Sequence, residues 1–77
     1  MRITMTPTDL TAARQRLGLT QAELGEHTGY SRTQITRIEA GQTGSVPVAL
    51  TLAVRAMLLL GADPAAWPDA AQYAQSA

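Results

Sequence analysis

The chain of 77 residues contains no cysteine and no lysine. Without cysteine, neither a disulfide nor a thiolate metal site can stabilise the fold. The single histidine, His27, has no partner cluster that would complete a zinc site. A chain this short buries only about 60% of the surface that it exposes when unfolded. We therefore expect a single domain over residues 1–77 that depends on helix packing, with dimerisation as a further source of stability.

The sequence also lacks a secretory signal and a membrane-spanning run. Its first ten residues have no apolar core of the kind found in signal peptides. The longest apolar stretch, residues 46–60, is interrupted by Pro47, Thr51 and Arg55 and is too short to cross a bilayer. We expect a cytoplasmic protein that makes no contact with a membrane.

Patterns typical of enzymes are missing as well. There is no second histidine, no phosphate-binding loop and no carboxylate pair at a plausible site. We expect no catalysis, cofactor, metal or small-molecule ligand. Six arginines balance six acidic residues, so the net charge is zero. Proteins that bind nucleic acid usually carry a positive balance, and this chain does not.

Two capping boxes lie eleven residues apart, each a hydroxyl residue followed three positions later by Glu or Gln. They are Thr20-Gln21-Ala22-Glu23 and Ser31-Arg32-Thr33-Gln34. Between them, Gly29 supplies the left-handed residue that a tight turn needs. The pattern predicts one helix over about residues 21–28 and another over about 32–40, which together form a helix-turn-helix.

Further signals predict the remaining helices. Thr6 is placed to cap the first helix and Gly18 to end it. A fourth helix, apolar nearly all round, is predicted over about residues 47–60. The remaining residues, 62–77, form a tail with one helical turn and then either a fifth helix or a frayed end. The fold class is therefore all-α, with four to five helices.

One glycine falls inside a predicted helix. Gly25 costs that helix about 1 kcal/mol relative to alanine. We attribute it to a close approach of the next helix; the alternative is a weak position that the fold tolerates.

Two charged residues lie toward the apolar faces of their helices. Arg14 follows Leu10 by four residues and precedes Leu17 by three, and Glu39 follows Ile35 by four. A charge that faces a core needs a partner. We predict a bidentate ion pair between Arg14 and Glu39. The alternative is two solvated charges at the rims of their helices.

These residues belong to one larger pattern. It consists of Arg14, Leu17-Gly18-Leu19-Thr20-Gln21, Glu23-Leu24, Gly29, Ser31, Ile35, Ile38-Glu39 and Gly41. With this pattern, the chain resembles the Cro/C1-type (XRE-like) helix-turn-helix regulators over about residues 8–60. The resemblance implies a compact, lambda-repressor-like domain that binds operator DNA as a symmetric dimer. It also implies that Arg14 and Glu39 form the structural ion pair of that family.

The second motif helix carries the candidates for base contacts on the face opposite Ile35 and Ile38. These candidates are Arg32, Thr33, Thr36 and Arg37. An arginine can bind guanine O6 and N7 together, and a threonine can contact a thymine methyl. The resemblance places Arg32, Thr33 and Arg37 at base-contacting positions, with Gln34 and Thr36 beside them. For each arginine, the alternative is a phosphate contact or plain solvation.

Other polar residues are candidates for phosphate contacts. The resemblance places Gln21 where the family clamps a phosphate at a helix N-terminus, although it is also an ordinary exposed helix former. The further candidates are Tyr30, Ser31, Thr43 and Ser45. Ser31 also suits a helix cap, and Tyr30 also suits packing on the turn. Arg2 is a candidate for the minor groove.

The fourth helix has more apolar surface than so small a domain can cover. We expect the excess to form a homodimer interface, which suits operator half-sites about one DNA turn apart. The candidate interface residues are Leu52, Leu59, Leu60 and Trp67. The alternative is a monomer in which the tail folds over this surface.

The leading hypothesis is an autoregulatory transcriptional repressor related to phages or mobile elements, acting in a bacterial cell or a phage-infected bacterium. Its partner is then double-stranded DNA with a palindromic operator. The layout is also similar to that of anti-CRISPR-associated repressors. The alternative is an antitoxin with the same fold. A third hypothesis is a helix-turn-helix used only for protein contacts, which zero net charge permits but Arg32 and Arg37 disfavour.

Overall fold

The computed structural model describes residues 4–68. Four α-helices and a short 3₁₀ turn make up this part of the chain, with no strand among its residues. They are α1 (Pro7–Arg16), α2 (Gln21–Thr28), α3 (Arg32–Glu39), α4 (Val48–Leu60) and the 3₁₀ turn Pro64–Ala66. The predicted all-α fold class is confirmed. The predictions for Arg2 and for the tail after Pro68 lie outside the described residues.

Reciprocal side-chain caps determine where the first three helices begin. The Thr20 hydroxyl accepts a hydrogen bond from the Glu23 amide at 3.1 Å, and the Glu23 carboxylate accepts one from the Thr20 amide at 2.9 Å. Ser31 and Gln34 exchange the same pair of bonds at 3.0 and 2.8 Å. Both predicted capping boxes are confirmed. A third box caps α1, where the sequence had predicted only the N-cap Thr6.

Two helix ends differ by one residue from the expected positions. α3 ends at Glu39, and its C-cap is Ala40. α4 begins at Val48 because Pro47 occupies the N-cap with an extended backbone. The Pro47 carbonyl then accepts hydrogen bonds from both the amide and the hydroxyl of Thr51. The N-cap carbonyls of the other three helices accept the same amide bond, so α4 differs from them in having no side-chain cap.

The turn between α2 and α3 depends on two glycines. Gly29 ends α2 with φ of +82°, a conformation that residues with a Cβ rarely adopt. A Cβ added to Gly25 would overlap the Tyr30 carbonyl oxygen. The close approach predicted at Gly25 therefore exists, but its partner is the turn before α3 and not α3 itself.

The core collects apolar side chains from all four helices and from the loop before α4. Its buried members are Leu10, Leu24, Ile35, Ile38, Val46, Leu50, Val54 and Met57. Burial of each such side chain contributes about 1.5–3 kcal/mol relative to exposure. α2 packs mainly against α3, and α1 lies against both α3 and α4. Since Ile35 and Ile38 bind one face of α3 to the core, the opposite face points into solvent.

Within residues 4–68, no helix is both long and apolar enough to span a membrane.

Candidate nucleic-acid interface

Arg14 on α1 and Glu39 at the end of α3 are in direct contact. The Arg14 Nε donates to Glu39 Oε2 at 2.6 Å, and one terminal nitrogen donates to Oε1 at 3.1 Å. The two side chains are only 14% and 6% exposed. The other terminal nitrogen donates to the Leu19 carbonyl at 2.9 Å. The structure thus brings together the two residues that the sequence paired, and their contact joins α1, the loop before α2, and α3.

The carboxyl group of Glu39 has a lowered pKa. Desolvation by burial raises the pKa, but it is outweighed by the hydrogen bonds from Arg14 and Gln21 together with the positive charge of Arg14. Glu39 is therefore ionised at neutral pH and acts only as a hydrogen-bond acceptor.

Gln21 extends this contact to the exposed face of α3. Its Nε2 donates to Glu39 Oε1 at 3.2 Å, and its Oε1 accepts from the Thr36 hydroxyl at 3.0 Å. Both ends of the amide are therefore held within the protein. A side-chain amide carries two N–H groups, so one remains for the phosphate contact predicted at Gln21. We call the four residues Arg14, Glu39, Gln21 and Thr36 the polar network.

Four exposed side chains of α3 border one open depression of about 410 Å³. They are Arg32, Thr33, Thr36 and Arg37, and Gln42 completes the rim. None of these five residues is acidic, and two of them carry a guanidinium group. We call this surface the outer face of α3.

Gln42 was not among the predicted site residues. Gly41 follows α3 with φ of +79° and turns the chain back. The Gln42 amide then bonds the Arg37 carbonyl, which keeps Gln42 beside the helix. The sequence signal for this return is Gly41, the glycine after the helix.

Gln34 was predicted to lie beside the base-contacting residues, and it lies next to one of them, Arg37, although it does not border the outer face of α3. Its side chain borders a second groove of about 240 Å³, together with the phosphate candidates Tyr30 and Thr43. Its amide oxygen is already engaged by the Ser31 amide at 2.8 Å. Arg37 borders both this groove and the outer face of α3.

A third depression, of about 510 Å³, opens at the N-terminus of α2. It is bordered by Arg14, Thr20, Gln21, Ala22 and Arg32. Because Arg32 also borders the outer face of α3, the two depressions are neighbours. An N-terminus has unpaired amides that favour an anion. This geometry sets a helix N-terminus, which favours an anion, beside a face that bears two guanidinium groups.

The remaining phosphate candidates are the two serines. The Ser31 hydroxyl accepts a hydrogen bond from the Gln34 amide and serves as the N-cap of α3. Ser45 is exposed in the loop before α4 and borders none of these three depressions. Among residues 4–68, no three His, Cys, Asp or Glu side chains are grouped as a metal site requires.

The candidate dimer residues do not all behave alike. Leu52, Leu59 and Leu60 are 48%, 85% and 55% exposed. Val48, Leu52 and Leu59 follow one another at spacings of four and seven and so share one side of α4. Trp67 instead packs partly against the core, and its indole N–H donates to the Gly61 carbonyl at 3.0 Å. Only part of Trp67 remains available to a partner.

Comparison with known proteins agrees with this geometry. A family model described as a helix-turn-helix domain matches residues 8–68, which include α2, α3 and α4 and nearly all of α1. No curated protein and no solved structure gives a match. The matched part exceeds half of the chain. The protein therefore belongs to the helix-turn-helix family of DNA-binding domains, in agreement with its resemblance to the Cro/C1-type (XRE-like) regulators.

Proposed function

We propose that the protein is a sequence-specific transcriptional repressor that binds a palindromic operator as a homodimer, with α3 in the major groove. The observation that carries this proposal is the outer face of α3, where two arginines and two threonines border one exposed depression. Ile35 and Ile38 hold the opposite face in the core. Arginine and threonine side chains distinguish base pairs by their hydrogen bonds and methyl contacts in the major groove.

Candidate phosphate-binding groups lie on both flanks of α3 and fit this orientation. On one flank lies the N-terminus of α2 with Gln21, and on the other lies the groove bordered by Tyr30 and Thr43. Such contacts set the register of a protein on the duplex. Because these groups are mostly neutral, few counterions are released on binding. We expect the slope of log K against log salt to be a few per dimer, well below the value of about ten for a heavily basic repressor.

The exposed side of α4 supports the homodimer. Val48, Leu52 and Leu59 place apolar surface on one side of a helix in a domain of modest size, and such patches usually mark interaction sites. A two-fold axis beside α4 would present two copies of α3 to half-sites about 34 Å apart. Leu60 is the last residue of this helix, and Trp67 bonds to the Gly61 carbonyl directly after it.

The regulatory setting is proposed by resemblance. Autoregulation and an origin in a phage or mobile element follow from the likeness to Cro/C1-type regulators. The similarity of layout to anti-CRISPR-associated repressors points in the same direction.

The test is selection of binding sequences from randomised duplex DNA by the wild type, Arg37→Ala and Arg16→Ala. We expect the wild type to enrich a palindrome and Arg37→Ala to lose discrimination at one base position per half-site. Arg16→Ala is the matched control, because it removes an equal charge from an exposed position on α1 and should leave the preferred sequence unchanged. A wild type that enriches no palindrome would refute the repressor.

An antitoxin is the second candidate, favoured by the same exposed side of α4. In that case the apolar side chains bind a toxin protein, while α3 still binds DNA. Light scattering of the protein alone and after co-expression with the product of the neighbouring gene separates the two functions. A homodimer that ignores the neighbouring product supports the repressor, and a stoichiometric hetero-complex supports the antitoxin.

A further inference from the structure

Thr36 lies where the polar network reaches the outer face of α3. Its Oγ1 is 3.0 Å from Gln21 Oε1 and 2.9 Å from the Arg32 carbonyl oxygen. Both of these atoms are acceptors, and a hydroxyl group has a single hydrogen. Thr36 therefore donates that hydrogen within the protein, and none is left for a bound ligand.

Glu39 determines the direction of these bonds. A carboxylate has no hydrogen to donate, so the Gln21 atom 3.2 Å from Glu39 Oε1 must be the amide nitrogen. The amide oxygen of Gln21 then faces Thr36 and requires a donor. The donor and acceptor of each hydrogen bond in the polar network are therefore determined by the neighbouring bond, starting from the buried ion pair.

We propose that the two groups of the Thr36 side chain have separate tasks, the hydroxyl holding Gln21 in place and the methyl contacting the 5-methyl group of a thymine. This inference rests on the proposed function. Thr36 borders the depression on the outer face of α3, and its oxygen is engaged by α2 and by its own helical turn. A thymine presents an acceptor, O4, and its 5-methyl group in the major groove. Because the hydroxyl hydrogen of Thr36 is already used, its methyl is the group that can contact a thymine edge.

Thr33 is the matched comparison on the same helix. It is exposed and borders the same depression, but its hydroxyl takes no part in the polar network. Two residues of the same type, three positions apart, therefore offer different groups to DNA. Thr33 offers a hydroxyl hydrogen and a methyl, whereas Thr36 offers a methyl without a free hydroxyl hydrogen.

The experiment measures binding of the wild type, Thr36→Ser and Thr36→Val to the operator selected above. Each thymine is replaced in turn by deoxyuridine, which lacks the 5-methyl group. We expect the wild type to lose about threefold to fivefold in affinity per half-site at one thymine, the size expected for one methyl group removed from water. Thr36→Ser keeps the hydroxyl and lacks the methyl, so it should bind thymine and deoxyuridine equally at that position.

Thr36→Val makes the opposite change. It keeps a methyl for the base and removes the bond to Gln21. We expect it to keep the preference for thymine and to lose affinity for all sequences by one common factor, since the loosened Gln21 contacts the backbone. Thr33→Ser and Thr33→Val should lose the same affinity as the wild type when this thymine is replaced by deoxyuridine.

Two results overturn the assignment of Thr36. In the first, replacing thymine by deoxyuridine lowers the affinity of Thr36→Ser as much as that of the wild type at every position. A replacement that changes the affinity of neither protein counts as the same result. The other is a Thr36→Val variant in which the thymine preference disappears. If the wild type enriches a palindrome, either result overturns the assignment of Thr36 but not the repressor. If the wild type enriches no palindrome, both proposals are refuted. Circular dichroism of each variant confirms that it is folded.

Discussion

The helix-turn-helix and α4 are held by different kinds of interaction. α2 and α3 each begin with a reciprocal cap, and Glu39 is bonded by side chains from α1 and α2. α4 has no side-chain cap and is anchored by the burial of Leu50, Val54 and Met57. Its other side leaves apolar side chains in solvent. One region is joined by polar side chains that bond to each other within the chain, while the other leaves apolar surface uncovered.

This difference fits what each region has to do. Hydrogen bonds and bidentate ion pairs depend on direction, so the polar network can fix the angle at which α3 presents its outer face. The hydrophobic effect has no direction and scales with the area covered. It suits α4, where the proposed task is to hold two copies together.

The largest effect is expected where the polar network is most buried. Glu39→Gln removes the charge opposite Arg14 and leaves a guanidinium only 14% exposed without its counter-charge. We expect a loss of about 3–5 kcal/mol in the free energy of unfolding, measured by urea denaturation. Glu26→Gln changes an exposed residue of α2 and should alter stability by less than about 0.5 kcal/mol. Equal stability of Glu39→Gln and the wild type would show that the ion pair does not hold α3.

The turn between α2 and α3 should resist a substitution that usually favours helices. Alanine in place of glycine inside a helix normally stabilises it by about 1 kcal/mol. Gly25→Ala instead drives a Cβ into the Tyr30 carbonyl oxygen, and overpacking of this kind costs about 1–3 kcal/mol. The melting temperature of the variant, compared with that of the wild type, shows whether the substitution stabilises or destabilises the protein. A raised melting temperature would mean that the turn can move away from α2 without cost.

The exposed side of α4 is expected to affect association and not the fold. Leu59 is 85% exposed, so Leu59→Ser should leave the stability of the monomer nearly unchanged. Burial of a leucine at an interface is worth about 1.5–3 kcal/mol, and its loss should raise the dimer dissociation constant at least about tenfold. Sedimentation or light scattering across a dilution series measures this constant. Arg16→Ser on α1 is the control, and a wild type that is monomeric at micromolar concentration contradicts the dimer.

How much of this comparison could be predicted depends on the range of each interaction. Capping boxes are local, because Thr20 and Glu23 need only the correct spacing. The contact between Arg14 and Glu39 was predictable from two charges on apolar faces. The bond between Gln21 and Thr36 was not, because Thr36 lies on the exposed face of α3, where burial does not require a partner. Their meeting depends on the angle between α2 and α3, which no local pattern encodes.

Other side-chain placements that the sequence did not predict have the same physical origin. Gln42 joins the outer face of α3 because the chain turns back after Gly41. Trp67 turns onto its own core because the segment after Gly61 returns to the domain. In each case the residue type was informative, but its neighbours were set by the path of the chain.

The smallest effect expected is the pH dependence of the polar network, since it reports only the charge of Glu39. The pKa of this carboxyl is lowered in the folded protein, whereas in the unfolded chain it is about 4.3. The stabilisation is therefore complete above the unfolded pKa and is lost as the pH falls through the lower folded pKa. Glu39→Gln has no such group. The melting temperatures of the wild type and Glu39→Gln should differ most near pH 7, and the difference should narrow as the pH falls through the folded pKa.

Glu23 provides the internal control for this pH range. The backbone and hydroxyl hydrogen bonds from Thr20 lower the pKa of Glu23 as well, but this exposed group is present in both proteins and cancels in their difference. Convergence of the two curves thus reports Glu39 alone. A difference that stayed constant from pH 7 to pH 3 would mean that shape and hydrogen bonding, and not charge, make Glu39 the anchor of α3. In that event the hydrogen bonds of the polar network would still fix the orientation of α3. The difference between this region and α4 would then lie in packing geometry and not in a buried charge.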